Sequence, residues 1–447
     1  LSPGLLDWLS RRTGPVGAVP WTAPTASAPI TRAVRTPGSK SATNRALVLA
    51  ALADGPSLIG GALDSRDTSL MLDGLRTLGV ETDVERHPRY DTLDRLRITP
   101  PPAFTGGGDV DCGLAGTVMR FVPPVAGLAA GTTRFHGDRA AESRPLEPLL
   151  RALGSLGVRI DPTLGLPFSL TSDGTLHGGQ VEIDSSASSQ FVSGLLMIGA
   201  RCESGLTIRH VGAPVPSRPH LSMTLTMLQD RGVDAAETQP DVWRVEPGAV
   251  GAMDEWIEPD LTNLATFMAA VGITGGHAVF AWPDASTQPG EQILAALQAF
   301  GITAAYRHGA SGAESTVAVS ADRIVGADID LHDVSELTCT AAALAAVATG
   351  PSRIRGVAHI RGHETDRLAA LEEGLSGLGC AVAQTDDGLT IEPRRLRGGL
   401  FRTHADHRLA HAAALVGLVT HGVVLDDVAC TSKTMPDFVA LWEGMLS

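Results

Sequence analysis

At 447 residues, 43% hydrophobic and 19% charged, the chain has the composition of a globular protein of two or more domains, not of a disordered one. No stretch reaches the roughly 20 uninterrupted apolar residues of a membrane span, and a net charge of −14 argues against nucleic acid or an anionic membrane as partner. Small anionic ligands stay open, because a local cationic cleft can oppose the global sign.

Residues 1–29 are rich in Pro, Ala, Ser and Thr without a period and are expected to form a mobile tail. Arg11-Arg12 is not followed by the apolar run of an export signal, so a cytoplasmic protein is expected. The five cysteines (Cys112, Cys202, Cys339, Cys380, Cys430) are scattered and lack CxxC spacing, which fits reduced thiols. Neither a metal nor any other cofactor is expected, and the chain is read as a monomer.

From residue 47 onward an Ala/Leu-rich helical stretch recurs six times, each followed by a glycine and a β-like run. The glycines are Gly55, Gly131, Gly205, Gly276, Gly350 and Gly422, spaced 71–76 residues apart. A second phrase resembling LxxLGV ends at Gly79, Gly157, Gly232, Gly301 and Gly379. Glycine after an apolar helical run is the expected left-handed C-cap, and the β-branched residues that follow predict a strand. Each unit of about 74 residues therefore carries two helices interleaved with strands, too long a period for a solenoid repeat. The helices are apolar on most faces and are expected to lie inside sheets, in an α/β architecture of βαβαββ-type units.

Only two of the 35 basic residues are lysine, Lys40 and Lys433. A chain that uses arginine almost everywhere keeps lysine where a compact charge able to give up a proton is needed. Lys40 falls in Pro37-Gly38-Ser39-Lys40-Ser41-Ala42-Thr43-Asn44-Arg45, a small-residue phrase at a predicted helix N-terminus, which suits an anion. It lacks the spacing of a Walker A loop, and a solvated N-cap is the plain alternative. Further along stand Gly113-Leu114-Ala115-Gly116-Thr117-Val118-Met119-Arg120, Glu142-Ser143-Arg144-Pro145, Ser188-Ser189-Gln190-Phe191 and Val215-Pro216-Ser217-Arg218-Pro219. The second half carries Asp333-Val334-Ser335-Glu336-Leu337, where helix-dipole compensation alone would explain the acids. It also carries His363-Glu364-Thr365-Asp366-Arg367, Asp406-His407-Arg408 and Thr431-Ser432-Lys433-Thr434-Met435-Pro436. A metal site among His404, His407 and His411 is disfavoured by Arg408 in their midst, and His363-Glu364 does not complete HExxH.

Taken together and in this order, these phrases resemble EPSP synthase, from about Pro37 to the last helix. The resemblance implies two inside-out α/β globules of three units each, joined by a two-strand crossover near Arg35–Gly38 and Glu255–Asp260. The N-terminal globule would then span 38–256, and the C-terminal one 30–37 plus 257–447. It implies transfer of the enolpyruvyl group of phosphoenolpyruvate to shikimate-3-phosphate. Lys40, Ser41, Arg45, Ser188, Ser189, Ser217, Glu336, His359 and His363 would hold shikimate-3-phosphate. Lys40, Gly116, Arg120, Arg144, Gln190, Arg367, Arg408 and Lys433 would hold phosphoenolpyruvate, as arginine's bidentate recognition of phosphate and carboxylate suits. Glu336 would be the base and Glu364 the acid, with Lys40 assisting; Asp333 competes with Glu336 for the first role. Arg144, Arg367, Arg408 and Lys433 would repel one another until an anion arrives, so an open resting form is expected. Glyphosate is implied as an inhibitor lying against Gly116.

The chain departs from the family's pattern at Leu114 (usually Asn), Phe121 (Pro), Glu336 (Asp), His359 (Asn) and His363 (Lys). The related transferase that acts on a UDP-linked amino sugar, with a reactive cysteine, is the nearest rival; Cys112 is the residue to check. A non-catalytic anion-binding relative is the other.

Overall fold

A computed structural model describes residues 18–87, 90–309 and 314–447. The chain forms two compact units, one spanning Gly38–Glu258 and the other made of 18–37 with Pro259–Ser447. Each is built round three core helices: α1 (Lys40–Ala51), α2 (Gly116–Ala126) and α3 (Gln190–Gly199) in the first unit, and α4 (Leu261–Ile273), α5 (Thr338–Ala346) and α6 (His407–Gly417) in the second. Every residue of α5 and α6 is buried, and α1–α4 are buried over nearly their whole length. That burial is why these segments read as continuous Ala/Leu runs and not as amphipathic stripes.

Sheets surround the helices. In the first unit all three have four strands. The middle one runs Asp109–Asp111, Gly131–His136, Phe168–Ser172, Arg159–Asp161, with the first pair parallel and the others antiparallel. Strand, core helix, parallel strand, outer helix and hairpin make up the βαβαββ unit, and the third and fifth units repeat it. The first of the six βαβαββ repeats closes its sheet with Glu255–Trp256 laid parallel to Ser57–Gly60. In the sixth, Trp21–Thr22 pairs antiparallel with Val424 and Leu425.

That pairing corrects the expected tail. Residues 18–29 are part of the second unit: Trp21 lies edge-on to Phe438 at 6.1 Å, Ala23 is buried, and Val428 N–H donates to Val19 O at 2.8 Å. Residues 1–17 lie outside the described residues.

The two glycine series differ. Gly79, Gly157, Gly232, Gly301 and Gly379 all take positive φ, between 77° and 102°, the left-handed cap expected of LxxLGV. The core helices, in contrast, end three to six residues before their glycines, which sit at the turn into the next strand. Of these, Gly131, Gly205 and Gly422 are left-handed, while near Gly276 it is Gly275 that turns, at φ 66°.

Core helix α6 buries two histidines. His411 packs on Phe438 at 4.9 Å and on His407 at 6.0 Å, and among the described residues neither of its ring nitrogens has a hydrogen-bond partner. Burial, then the charges of Arg408 and Arg367, hold its pKa well below the ordinary histidine value. The folded value lies below the unfolded one, so stability is complete above about pH 6.5 and is lost as pH falls, by about 2 kcal/mol at pH 5 for one site. Denaturant midpoints of wild type and His411→Phe should converge toward pH 5 from their pH 8 difference. Parallel pH curves would mean that His411 does not set the acid limb.

Candidate active site

In the second unit, Glu336 sits in the 3-10 turn His332–Leu337 that leads into α5, in a segment bent at Val334. Asp333 of the same turn is exposed, so Glu336 is the acid that enters the cluster described next. A bend at residues 363–365 follows the 3-10 turn Ala358–Gly362. Asp366 then caps the helix Arg367–Gly377 by accepting from the N–H groups of Leu368 and Ala369, both at 3.1 Å. Across this bend Arg367 Nη2 donates to Glu364 Oε2 at 2.9 Å.

Arg367 is the hub, with 1% of its side chain exposed. Its Nε and Nη2 donate to Asp406 at 2.7 and 3.3 Å, Nη2 also reaches Glu364, and Nη1 reaches Glu336 Oε2 at 3.1 Å. Burial disfavours the guanidinium's charge, but Asp406, Glu336 and Glu364 outweigh it and hold the pKa well above the ordinary value. Asp406 does a second job, capping α6 through the Arg408 N–H at 2.8 Å. Arg408 donates through Nε to Glu336 Oε2 at 3.2 Å and through Nη1 to Asn263 Oδ1 at 2.9 Å. Lys433 Nζ donates to Glu364 Oε1 at 2.7 Å. Three carboxylates thus face three cations. Mutually repelling cations were expected here, and within this unit each is instead paired.

A row of imidazoles adjoins Glu336. The rings of His332, His359 and His363 stand edge-to-face at 5.7 and 5.9 Å, and His363 Nδ1 lies 3.5 Å from Glu336 Oε1. Burial first, then His332, push the pKa of His359 down to about 4, so it is neutral near pH 7.

The first unit has its own basic site. Gly116 opens α2, and Ala115 before it offers no side-chain cap. Arg120 donates to Gly116 O at 3.2 Å and to Pro145 O at 2.8 Å, over the Phe191 ring, while Arg144 donates to Leu114 O at 3.0 Å. A methyl placed on Gly116 would lie 3.0 Å from both Arg120 Nη1 and Arg144 Nη2. Two guanidinium ends therefore converge on one spot at a helix N-terminus, a favourable place for an anion.

Lys40 and Ser41 begin α1, and Ser39 caps it through the Ala42 N–H. Ser188 Oγ accepts from the Gln190 N–H at 3.2 Å, and Ser189 is the N-cap residue of α3. Ser217 holds a left-handed φ of 52°, a strained conformation for a serine. Arg45, expected to face a ligand, is 1% exposed and is packed among helices. It donates to Thr224 Oγ1 at 2.7 Å, Ser193 Oγ at 3.1 Å and the carbonyls of Ser41 and His220, above the Phe121 ring. With neutral acceptors only among these, burial lowers its pKa to about 9. The unusual Phe121 thus supplies the aromatic face under Arg45. Asp406, Asn263, Ser193 and Thr224 had no assigned roles in the sequence; only Asp406 carried a signal, as an Asp immediately before a helix.

The family model for EPSP synthase (3-phosphoshikimate 1-carboxyvinyltransferase) matches residues 24–442. The chain belongs to the EPSP synthase family. An EPSP synthase structure from Acinetobacter baumannii superposes with a TM-score of 0.74 at 23% identity, covering 94% of this chain and 97% of that one. The enolpyruvyl transferase NikO from Streptomyces tendae superposes at 0.73 and 20% identity, covering 96% and 98%. These likenesses establish the two-domain fold, and the family makes the chain an enolpyruvyl transferase. Its Cys112 thiol is fully buried and is pushed up to about 12, mainly by that burial, so this family member has no reactive thiol there. Among the described residues no helix is long and apolar enough to cross a membrane.

Proposed function

We propose that the chain transfers the enolpyruvyl group of phosphoenolpyruvate to the 5-hydroxyl of shikimate-3-phosphate, releasing phosphate on the cytoplasmic route to chorismate and aromatic amino acids. The observation that carries this is the ion-paired knot in which Glu336 and Glu364 flank Arg367, with Arg408 sharing Glu336 Oε2 with it and Lys433 on the other oxygen of Glu364. A polyanion and two proton transfers need that combination. Arg120, Arg144, Arg367, Arg408 and Lys433, with Lys40, Gly116 and Gln190, are the groups for phosphoenolpyruvate. Lys40, Ser41, Arg45, Ser188, Ser189, Ser217, Glu336, His359 and His363 are those for the acceptor, and Arg45 also donates to the Ser41 carbonyl at 3.0 Å.

In this reading the acceptor oxygen bonds to C2 of phosphoenolpyruvate as its proton passes to the Glu336 end of the network. C3 takes a proton from Glu364, giving a tetrahedral adduct. C3 then returns a proton as the C2–O bond to phosphate breaks, which restores the double bond and frees inorganic phosphate. Lys40 offsets the charge that develops on the phosphate.

A second reading keeps the chemistry and changes the acceptor. It is favoured by histidines at 359 and 363, where the family usually has asparagine and lysine, and by the likeness to NikO. Phosphate release from phosphoenolpyruvate with shikimate-3-phosphate supports the first reading. Release only with another hydroxyl compound supports the second. Binding without release under either condition would leave an anion-binding relative.

Glyphosate is expected to inhibit competitively with phosphoenolpyruvate. A methyl on Gly116 would press on the guanidinium ends of Arg120 and Arg144, which need give only a few tenths of an ångström, so the fold should survive Gly116→Ala. The longer inhibitor should suffer most, losing roughly 10–200-fold, the range for one misfitting methyl in a tight pocket. Inhibition constants decide this; an unchanged constant in Gly116→Ala would place the inhibitor elsewhere.

A further inference from the structure

The two oxygens of Glu336 have different surroundings. Oε2 accepts from Arg367 Nη1 at 3.1 Å and Arg408 Nε at 3.2 Å, while Oε1 faces His363 Nδ1 at 3.5 Å. Arg367 Nη1 also approaches His363 Nδ1 at 3.1 Å. One ring nitrogen therefore stands between an N–H donor and a carboxylate oxygen, and each asks for a different tautomer. When Arg367 donates to Nδ1, the ring proton is on Nε2. When Nδ1 carries the proton and turns it toward Glu336 Oε1, Nε2 becomes the basic nitrogen.

A carboxylate with two arginines on one oxygen is a weak base. Burial pushes the Glu336 carboxyl up, but the charges of Arg367 and then Arg408 outweigh this and hold it well below the usual carboxylate range. A neutral imidazole aligned by a carboxylate is matched to proton abstraction near pH 7.

We propose that His363 Nε2 takes the proton of the acceptor hydroxyl, and that Glu336 is the positioning carboxylate that holds the Nδ1–H tautomer. The inference rests on the enolpyruvyl-transfer reading and identifies its base. As the acceptor oxygen forms its bond to C2 of phosphoenolpyruvate, the O–H electron pair stays with oxygen and the proton moves to Nε2, leaving an imidazolium against Glu336 Oε1. An anionic substrate that draws away the Arg367 N–H frees Nδ1 to turn to Glu336, so binding of phosphoenolpyruvate arms the base. The other groups facing the ring are consistent with this. His359, 5.9 Å away, is neutral near pH 7, with His332 beyond it; Glu364 shares Arg367, and Arg408 lies behind Glu336.

Two measurements test the proposal. In kcat/KM for the acceptor, wild type should show an acid limb where the base takes up its proton. His363→Asn should lose that limb and about 10²–10⁴ of the rate, with partial recovery on adding free imidazole. Glu336→Gln should slow turnover and keep a limb. A wild-type rate that stays flat down to pH 5, or a His363→Asn enzyme within fivefold of wild type, overturns the assignment. Independently of turnover, ¹⁵N NMR of histidine-labelled protein, with His363→Asn identifying the resonance, should show Nδ1 gaining its proton when phosphoenolpyruvate is added. An Nδ1 that stays unprotonated refutes the tautomer switch. If no acceptor turns over at all, the functional reading fails, and the NMR result still decides this inference.

Discussion

Replacing Arg367 with alanine is expected to destabilise the second unit by about 3–5 kcal/mol, the usual cost of breaking a buried ion pair from one side. Asp406 is 0% exposed and Glu364 7%, so both would be left charged and without their hub, and Glu336 would keep only Arg408 on Oε2. Asp406 also caps α6, so the loss would spread into a core helix. For a unit of this size each kcal/mol is worth about 2–4 °C, so calorimetry should show a drop of roughly 6–20 °C in the transition of the second unit. Arg367→Lys should fall in between, since an ammonium restores the charge and not the fork that spans Asp406, Glu364 and Glu336. Arg361→Ala is the control. It removes the partner of Asp366 where 32% and 41% of the two side chains are exposed, and should cost at most about 1 kcal/mol. An Arg367→Ala protein that melts within 2 °C of wild type would show that the three carboxylates relax or take up protons cheaply.

What could be read from the sequence, and what could not, follows from how local each feature is. The sixfold rhythm was legible because a helix buried on every side needs an unbroken small and apolar sequence, as in Leu264–Gly272 and Leu337–Ala346. The LxxLGV glycines were legible because a left-handed cap is a one-residue requirement. Glu336 could not be separated from Asp333 by spacing. The bend at Val334 separates them, leaving Asp333 in solvent and Glu336 among the arginines. The resemblance gave Arg45 a ligand role, and spacing gave no sign of the hydrogen bonds it makes inside the protein. Its partners Ser193 and Thr224 lie 148 and 179 residues away and are brought to it only by the packing of helices. The same holds for Asp406, 39 residues from Arg367. The N-terminal residues read as a tail because a two-residue strand has no periodicity to detect; what fixes them is an edge offered by Val423–Leu425.

Arg144→Ala should separate binding from folding more sharply than any other change at the basic site of the first unit. Arg144 is half-buried and gives Nη1 to the Leu114 carbonyl, so its loss strands no carboxylate among the contacts described. Arg120, 2% exposed and tied to Gly116, Pro145 and the Phe191 ring, is part of the packing, and Arg120→Ala should lower the melting temperature as well. With the half-burial of Arg144 discounted, losing one charge-assisted contact to phosphoenolpyruvate should cost about 2–3 kcal/mol, or roughly 30–150-fold in affinity. The melting temperature should stay within about 2 °C of wild type, as expected for a change that leaves no buried group unpaired. Shikimate-3-phosphate should bind nearly as before, because its proposed contacts are Lys40, Arg45, Glu336, the hydroxyls at Ser41, Ser188, Ser189 and Ser217 and the histidines at 359 and 363, and Arg144 is not among them. Titration calorimetry with each ligand alone gives the comparison. Equal losses for the two ligands would mean that Arg144 serves the acceptor, and no loss for either would mean that the guanidinium pair at Gly116 is not where the phosphate binds.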